Sequence, residues 1–299
     1  MDAVVTDRQN YLKHYFHPEA WPFWAAHLGV VYGFAFMIDF SWSGLALAIG
    51  LYYVRMFFVT GVYHRFFSHR AYKTSRWFQF VLAFLGGMSV QKGALWWAAH
   101  HRHHHKFSDT ANDLHSPVQH GLLWSHMGWI LSRAYNDTQY QEIRDFAKYP
   151  ELVWVNKHHY VPVLIYVGGL YAALGFWGFF WGFVVSTVLL WHGTFTINSL
   201  SHVFGYRRFN TTDDSRNNWF LALITMGEGW HNNHHHYQST ANQGFYWYEI
   251  DMSYYVLKAL SAVGLVWDLR KPPQRVLDEG RVRTEAKFVP DAVGVSPAE

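Results

Sequence analysis

Tyr160-VPVLIYVGGLYAALGFWGFFWGFVVSTVLLWHGTFTINSLSHVFG-Tyr206 contains no Asp, Glu, Lys or Arg. A helix rises ~1.5 Å per residue, and about 20 apolar residues cross roughly 30 Å of hydrocarbon, so this stretch is far too long for one crossing. The Gly- and Trp-rich piece Gly175 to Gly182 reads as a turn between two helices. Upstream, Trp21 to Ile38 ends at Asp39, and Gly44 to Tyr63 carries one charge, Arg55. Four spans follow, at 21–38, 44–63, 160–176 and 182–202. Trp77 to Val90 is short for a crossing and suits a buried or interfacial helix, as does Met252 to Trp267 with Lys258 inside it.

The expected fold is therefore all-α: a multi-pass membrane protein with four transmembrane helices, interfacial helices and a cytosolic helical cap. One domain covers 1–283, and the polar tail 284–299 reads as disordered. Of the 24 Lys and Arg, all but Arg55 fall on one side, because the outer turns Asp39 to Ser43 and Gly175 to Gly182 have none. That asymmetry places both termini in the cytoplasm, which for a bacterial chain means the inner or plasma membrane. The competing reading is a soluble helical protein with apolar core helices.

Composition agrees with the local runs. Hydrophobic residues make up 51% and charged residues 15%, against roughly 25% charged in soluble domains. The mean hydropathy of −0.09 is pulled down by 21 His and by 16 Trp and 19 Tyr, residues suited to interfaces and apolar tunnels. Cysteine is absent, which excludes thiolate catalysis and iron–sulfur clusters held by the chain's own cysteines. A net charge of +3 gives no reason to expect nucleic acid as a partner. Asp2, Asp7, Arg8 and His14 interrupt any cleavable signal pattern at the N-terminus.

Histidine is clustered in three groups: His64 and His69; His100, His101, His103, His104 and His105; and His231, His234, His235 and His236. Residues at i, i+3 and i+4 share a helical face, as His231, His234 and His235 do. In the second group His101/His104/His105 and His100/His103/His104 satisfy the rule equally. His64 and His69, five apart, need a helix end or a distortion to converge. The isolated His27, His126 and His192 read as capped or interfacial residues. Eight or more imidazoles exceed what one tetrahedral zinc uses, so two metals are the economical inference. The zinc-hydrolase His-Glu-x-x-His pattern is absent, and only Glu228-Gly-Trp-His231 has the Glu-x-x-His form of soluble di-iron carboxylate proteins. All three clusters face one aqueous side, since two crossings separate the second from the third.

The segments His64 to His69, His101 to Ser108, Asn198 to His202 and Gly227 to His235, followed by Gln243 to Asp251, resemble the membrane fatty acyl desaturases of the stearoyl-CoA delta-9 type. The resemblance favours His101, His104 and His105 within the second group and adds His202 as a ninth imidazole. It implies two iron ions held by His64, His69, His101, His104, His105, His202, His231, His234 and His235, with Asn198 reaching one iron through water. His103 fills a variable position of the pattern, while His100 and His236 depart from it.

The implied reaction uses dioxygen as co-substrate and two electrons, removes hydrogen from two adjacent methylenes, and yields a cis double bond and water. The substrate is a fatty acyl-CoA or an acyl chain on another carrier or lipid, and delta-9 is expected from the resemblance alone. With no nucleotide fingerprint and no cysteine, electrons must come from an external donor, a ferredoxin or a cytochrome b5-like carrier with its reductase. Arg133, Arg144, Lys148, Arg207 and Arg208 could dock that donor or acyl-CoA phosphates, or reflect ordinary positive-inside bias. Asp109, Asp113, Glu228 and Asp214 are candidates to orient the imidazoles. The rival oxidoreductase is a membrane di-iron hydroxylase acting on alkanes or fatty acids. The rival of another class is a His-rich metal-binding or transport protein, whose ligands would line the spans instead.

Overall fold

A computed structural model describes residue 13 and residues 15–288; most of the 284–299 tail lies outside the described residues. The chain is mostly helical. Helix α1 is Trp21–Phe36, and α2, Trp42–Phe57, is capped by the Ser41 hydroxyl accepting from the Gly44 amide. Without a break α2 passes into a π-helical segment, Phe58–Ser68. Helix α3 is Arg76–Gly87 and α4 is Ala94–Phe107. Helix α5, Tyr160–Gly178, continues through a π-helical stretch, Phe179–Val185, into α6, Ser186–Ser199. Helix α7 is His231–His236, α8 is Met252–Ala262, and α9, Gln274–Phe288, takes in the first residues of the polar tail. A two-residue strand, Lys73–Thr74, pairs antiparallel with Val266–Trp267.

Two helical runs, Trp42–Ser68 and Tyr160–His202, are long and apolar enough to cross a membrane. The second folds back on itself. The turn expected over Gly175 to Gly182 is compressed into a single residue: Gly175 has φ +62° and helix resumes at once. A side chain at that φ would crowd the following carbonyl, so glycine is the residue that fits. The Tyr166 hydroxyl then donates to the Gly182 carbonyl at 2.7 Å, joining the two arms. Trp181 from the returning arm seats against Gly44 of α2, where any Cβ would collide with the indole.

Helix α3 has 12 residues, about 18 Å at helical rise. It packs with the π-helical segment and α4 around Tyr63, Phe66, Phe67, Leu82, Leu95 and Ala98. The histidines before and after it converge on one point, so α3 does not carry the chain to an opposite face. The α4 N-terminus lacks a local side-chain cap; the Asn156 carbonyl Oδ1 accepts from the Trp96 amide instead, at 2.8 Å.

Candidate metal centre

Five imidazoles meet in one cluster: His64, His69, His101, His105 and His234. Four meet in a second: His104, His202, His231 and His235. The two clusters touch, with the His105 and His235 ring centroids 4.4 Å apart.

Local structure explains each placement. Five residues make about one turn of a π-helix, and the His69 amide donates to the His64 carbonyl at 3.2 Å, so π winding brings this pair together. On α4, His101, His104 and His105 point inward. The two histidines that periodicity left eligible are turned elsewhere: His100 Nδ1 donates to the Trp96 carbonyl at 2.8 Å, and His103 Nε2 to the Asn112 carbonyl at 3.1 Å. Helix α7 is only six residues long, too short to be stable on propensity. The asparagines between its histidines hold it. Asn232 Oδ1 accepts from the Arg208 and Phe209 amides, and Asn233 Nδ2 donates to the Gln243 carbonyl and to Glu249. His236 lies outside the clusters, stacked on Phe209 at 4.1 Å and paired with Glu279 at 3.2 Å.

Carboxylates orient four of the nine rings through Nδ1. His104 donates to Asp113 at 2.9 Å, His202 to Asp109 at 2.8 Å and His235 to Asp213 at 2.7 Å, and His64 pairs with Glu228 at 2.5 Å. The expected Asp214 is displaced by its neighbour: its side chain turns to Arg207, while its amide donates to Asp109. Glu228 is held in turn by the fully buried Arg65, which also pairs with Asp251 at 2.9 Å. Fixing the proton on Nδ1 leaves the Nε2 lone pair facing inward.

Those lone pairs face one another. Nε2 of His234 lies 3.0 Å from that of His64 and 2.9 Å from that of His105. The His69–His101 and His202–His231 Nε2 pairs are each 3.0 Å apart, and buried His235 Nε2 has no hydrogen-bond partner. Burial, reinforced by neighbouring imidazoles, pushes His101, His105, His231 and His234 well below the usual imidazole range. Burial takes His235 down to about 4 despite Asp213. At His104 burial also lowers, but Asp113 outweighs it and the result is raised. Neutral nitrogens converging with lone pairs inward are stable around a cation, so these donors fit transition-metal ions.

A cavity opens beside both clusters, lined by Val59, Thr60, Trp97, Thr194, Ile197 and Asn198 together with His64, His101, His104 and His231. Asn198 lies on the wall of this cavity. The cavity continues past Gln91, Trp129, Ile130 and Phe195, and Gln91 donates to Thr194 at 2.8 Å across its wall. Sequence reasoning missed His115, whose ring stacks on His104 at 4.3 Å and which, with His104 and Asp113, forms a third cluster of donors. Its position ten residues past His105 was the only signal. Arg208, expected as a surface cation, is buried and pairs with Glu249 at 2.6 Å, so it is not available for docking.

The family model for fatty acid desaturases matches residues 40–268, and the chain belongs to that family. It is 36% identical over 239 residues to an acyl-CoA 5-desaturase of Anemone leveillei, covering 79% of this chain and 74% of that one. It is also 36% identical over 244 residues to an sn-1 stearoyl-lipid 9-desaturase of Synechocystis, covering 80% and 75%. A chloroplastic palmitoyl-monogalactosyldiacylglycerol delta-7 desaturase of Arabidopsis thaliana is 36% identical over 240 residues, covering 79% and 64%. The protein is an oxidoreductase of lipid metabolism, a fatty acid desaturase. Regiospecificity differs among these relatives.

Proposed function

We propose that the chain is a four-span di-iron desaturase that introduces a cis double bond, delta-9 by its sequence pattern, into a saturated acyl chain. The observation that carries this reading is two touching groups of inward-facing imidazole nitrogens on the wall of an apolar cavity. His64, His69, His101, His105 and His234 hold one iron, and His104, His202, His231 and His235 the other, with Asn198 acting through water. The irons supply dioxygen activation with electrons from a ferredoxin or a cytochrome b5-like carrier. The protein's own residues do the rest. Asp109, Asp113, Asp213 and Glu228 hold the rings in one tautomer, Trp97 stacks on His101 at 4.9 Å, and the cavity walls exclude water from the reacting carbons.

The acyl chain runs along the cavity past Gln91 and Thr194, which fix its depth and therefore which carbon pair reaches the irons. The polar head rests in the adjoining cleft lined by Lys92, Asn136, Thr138, Asn156, Lys157 and His159, which shares Trp96 with the cavity. Trp21–Phe36, Trp42–Ser68 and the two arms of Tyr160–His202 make the four crossings. The termini and the histidines then lie on the cytoplasmic side, because the basic residues do.

Expression in cells lacking their own desaturase tests the assignment. The expected result is two tightly held irons per chain and a new double bond, located by mass spectrometry. A product that gains one oxygen, or protein that carries two irons and leaves the saturated profile unchanged, overturns it.

A further inference from the structure

Outside the metal centre, three isolated histidines form a continuous chain. His27 Nδ1 donates to the Phe23 carbonyl at 2.7 Å, and its Nε2 lies 2.9 Å from His192 Nε2. His192 Nδ1 lies 2.9 Å from His126 Nε2, and His126 Nδ1 lies 3.0 Å from the Ser199 hydroxyl. Ser199 in turn donates to the Phe195 carbonyl at 2.9 Å. The chain joins α1 and α6 to the short segment Trp124–Gly128, and Phe23, Trp191 and Phe195 pack around it.

Counting hydrogens is decisive. The chain has five links and ends at both sides on a backbone carbonyl, which can only accept. Each neutral imidazole contributes one N–H and the serine one O–H, so four hydrogens must serve five links. A neutral chain leaves one link unmade, and because four of the five links are half-buried and the fifth buried, an unsatisfied polar contact there is costly. One added proton completes every link and makes two of them charge-assisted, and the charge can sit on any of the three rings. Burial opposes the proton: His126 is held below the ordinary imidazole range, countered by the Phe195 carbonyl. Completion of all five links acts in the opposite direction, with the charge shared among three rings. No carboxylate pairs with these rings among the described residues. Other titratable groups on the packed elements have their own partners: His17 with the Leu131 carbonyl, Glu19 with Arg133, Tyr52 with the Ile224 carbonyl, and Arg55 with Ser186 and Thr187. Tyr15 packs in the same apolar cluster.

We infer that His27, His192 and His126 hold one excess proton in common and serve as a proton reserve for oxygen reduction at the neighbouring centre. Desaturation takes up protons: an acyl chain losing two hydrogens, one dioxygen, two electrons and two protons give one double bond and two waters. The chain passes through Ser199, next in sequence to Asn198, which lines the cavity with His101, His104 and His231. Proton holding stands on the hydrogen-bond geometry alone; proton supply rests on the proposed di-iron reaction.

Nitrogen-15 NMR of histidine-labelled protein in lipid, with iron content as a check on folding, tests the holding. Wild type at pH 8 is expected to show an imidazolium signal that disappears in His192→Gln, whose amide keeps a donor and an acceptor but takes no proton. His126→Asn gives a second, independent probe of the same signal. Single-turnover desaturation in H2O and D2O tests the supply: His192→Gln is expected to slow the step at least tenfold, enlarge the solvent isotope effect and be rescued by added imidazole. An imidazolium count unchanged in both variants overturns the holding. Loss of the signal with wild-type turnover and isotope effect overturns the supply. Zinc or copper bound at these histidines would overturn both.

Discussion

Asp213 and Asp214 are adjacent carboxylates, and the fold gives them different work. Asp213 accepts from His235 Nδ1 at 2.7 Å with the histidine side chain fully buried. Asp214 meets Arg207 at 3.5 Å, with both side chains partly exposed. Asp213→Asn preserves an accepting oxygen and removes the charge that favours the inward Nε2 lone pair. Loss of such an orienting partner lowers metal affinity or activity by about 10- to 100-fold, and the retained oxygen places Asn near the tenfold end, about 1.4 kcal/mol. Asp213→Ala also leaves His235 Nδ1 without an acceptor and falls near the hundredfold end. Asp214→Asn disturbs a surface pair worth about 0–1 kcal/mol, so turnover stays within a small factor of wild type. The assay is iron release to a chelator from purified protein, followed optically, alongside turnover and circular dichroism. Wild-type iron retention and turnover in Asp213→Asn, or equal losses in Asp213→Asn and Asp214→Asn, would refute the reasoning.

Other expected outcomes are equally specific. His104→Ala and His234→Ala each remove one nitrogen from a different cluster; each should abolish turnover while membrane insertion persists, and full activity in either counts against the ligand assignment. Burial lowers Lys92 to about 8, with Asp137 and Glu19 acting the other way. Its positive charge is therefore present below that pH and lost above it, so KM for an acyl-CoA should rise between pH 7 and 9, and Lys92→Gln should flatten that profile; an unchanged slope in the variant removes Lys92 from the head site. Gly175→Ala forces a Cβ into φ +62°, ψ −155°, a region essentially restricted to glycine, at about 1–3 kcal/mol, which should appear as a lower melting temperature in detergent with iron content preserved.

Much of the site was legible because its rules are local. His231, His234 and His235 repeat at one-face spacing, and spacing survives whatever the rest of the chain does. The choice between the two triplets on α4 was not local. It turns on which face meets the other histidines, and the Trp96 and Asn112 carbonyls take His100 and His103 out of contention. Asp213 was missed for the same reason, since adjacent residues in a loop point in directions that only packing decides. His27, His126 and His192 lie far apart in sequence, and each alone had the look of a capped residue; their chain exists because α1, α6 and the segment between them pack together.

Composition and periodicity thus determined the apolar helical runs and the histidine-rich ligand chemistry, both properties of residue type and short-range spacing, while the family came from the resemblance of the motif set. Tertiary structure decided how the clusters divide into groups of five and four, which carboxylate orients which ring, and where π winding brings His64 to His69. Several of those outcomes depend on distances between residues more than a hundred positions apart, as between His105 and His234 or His64 and Glu228. Such distances are set by packing free energy over the whole chain, which no short stretch of sequence contains.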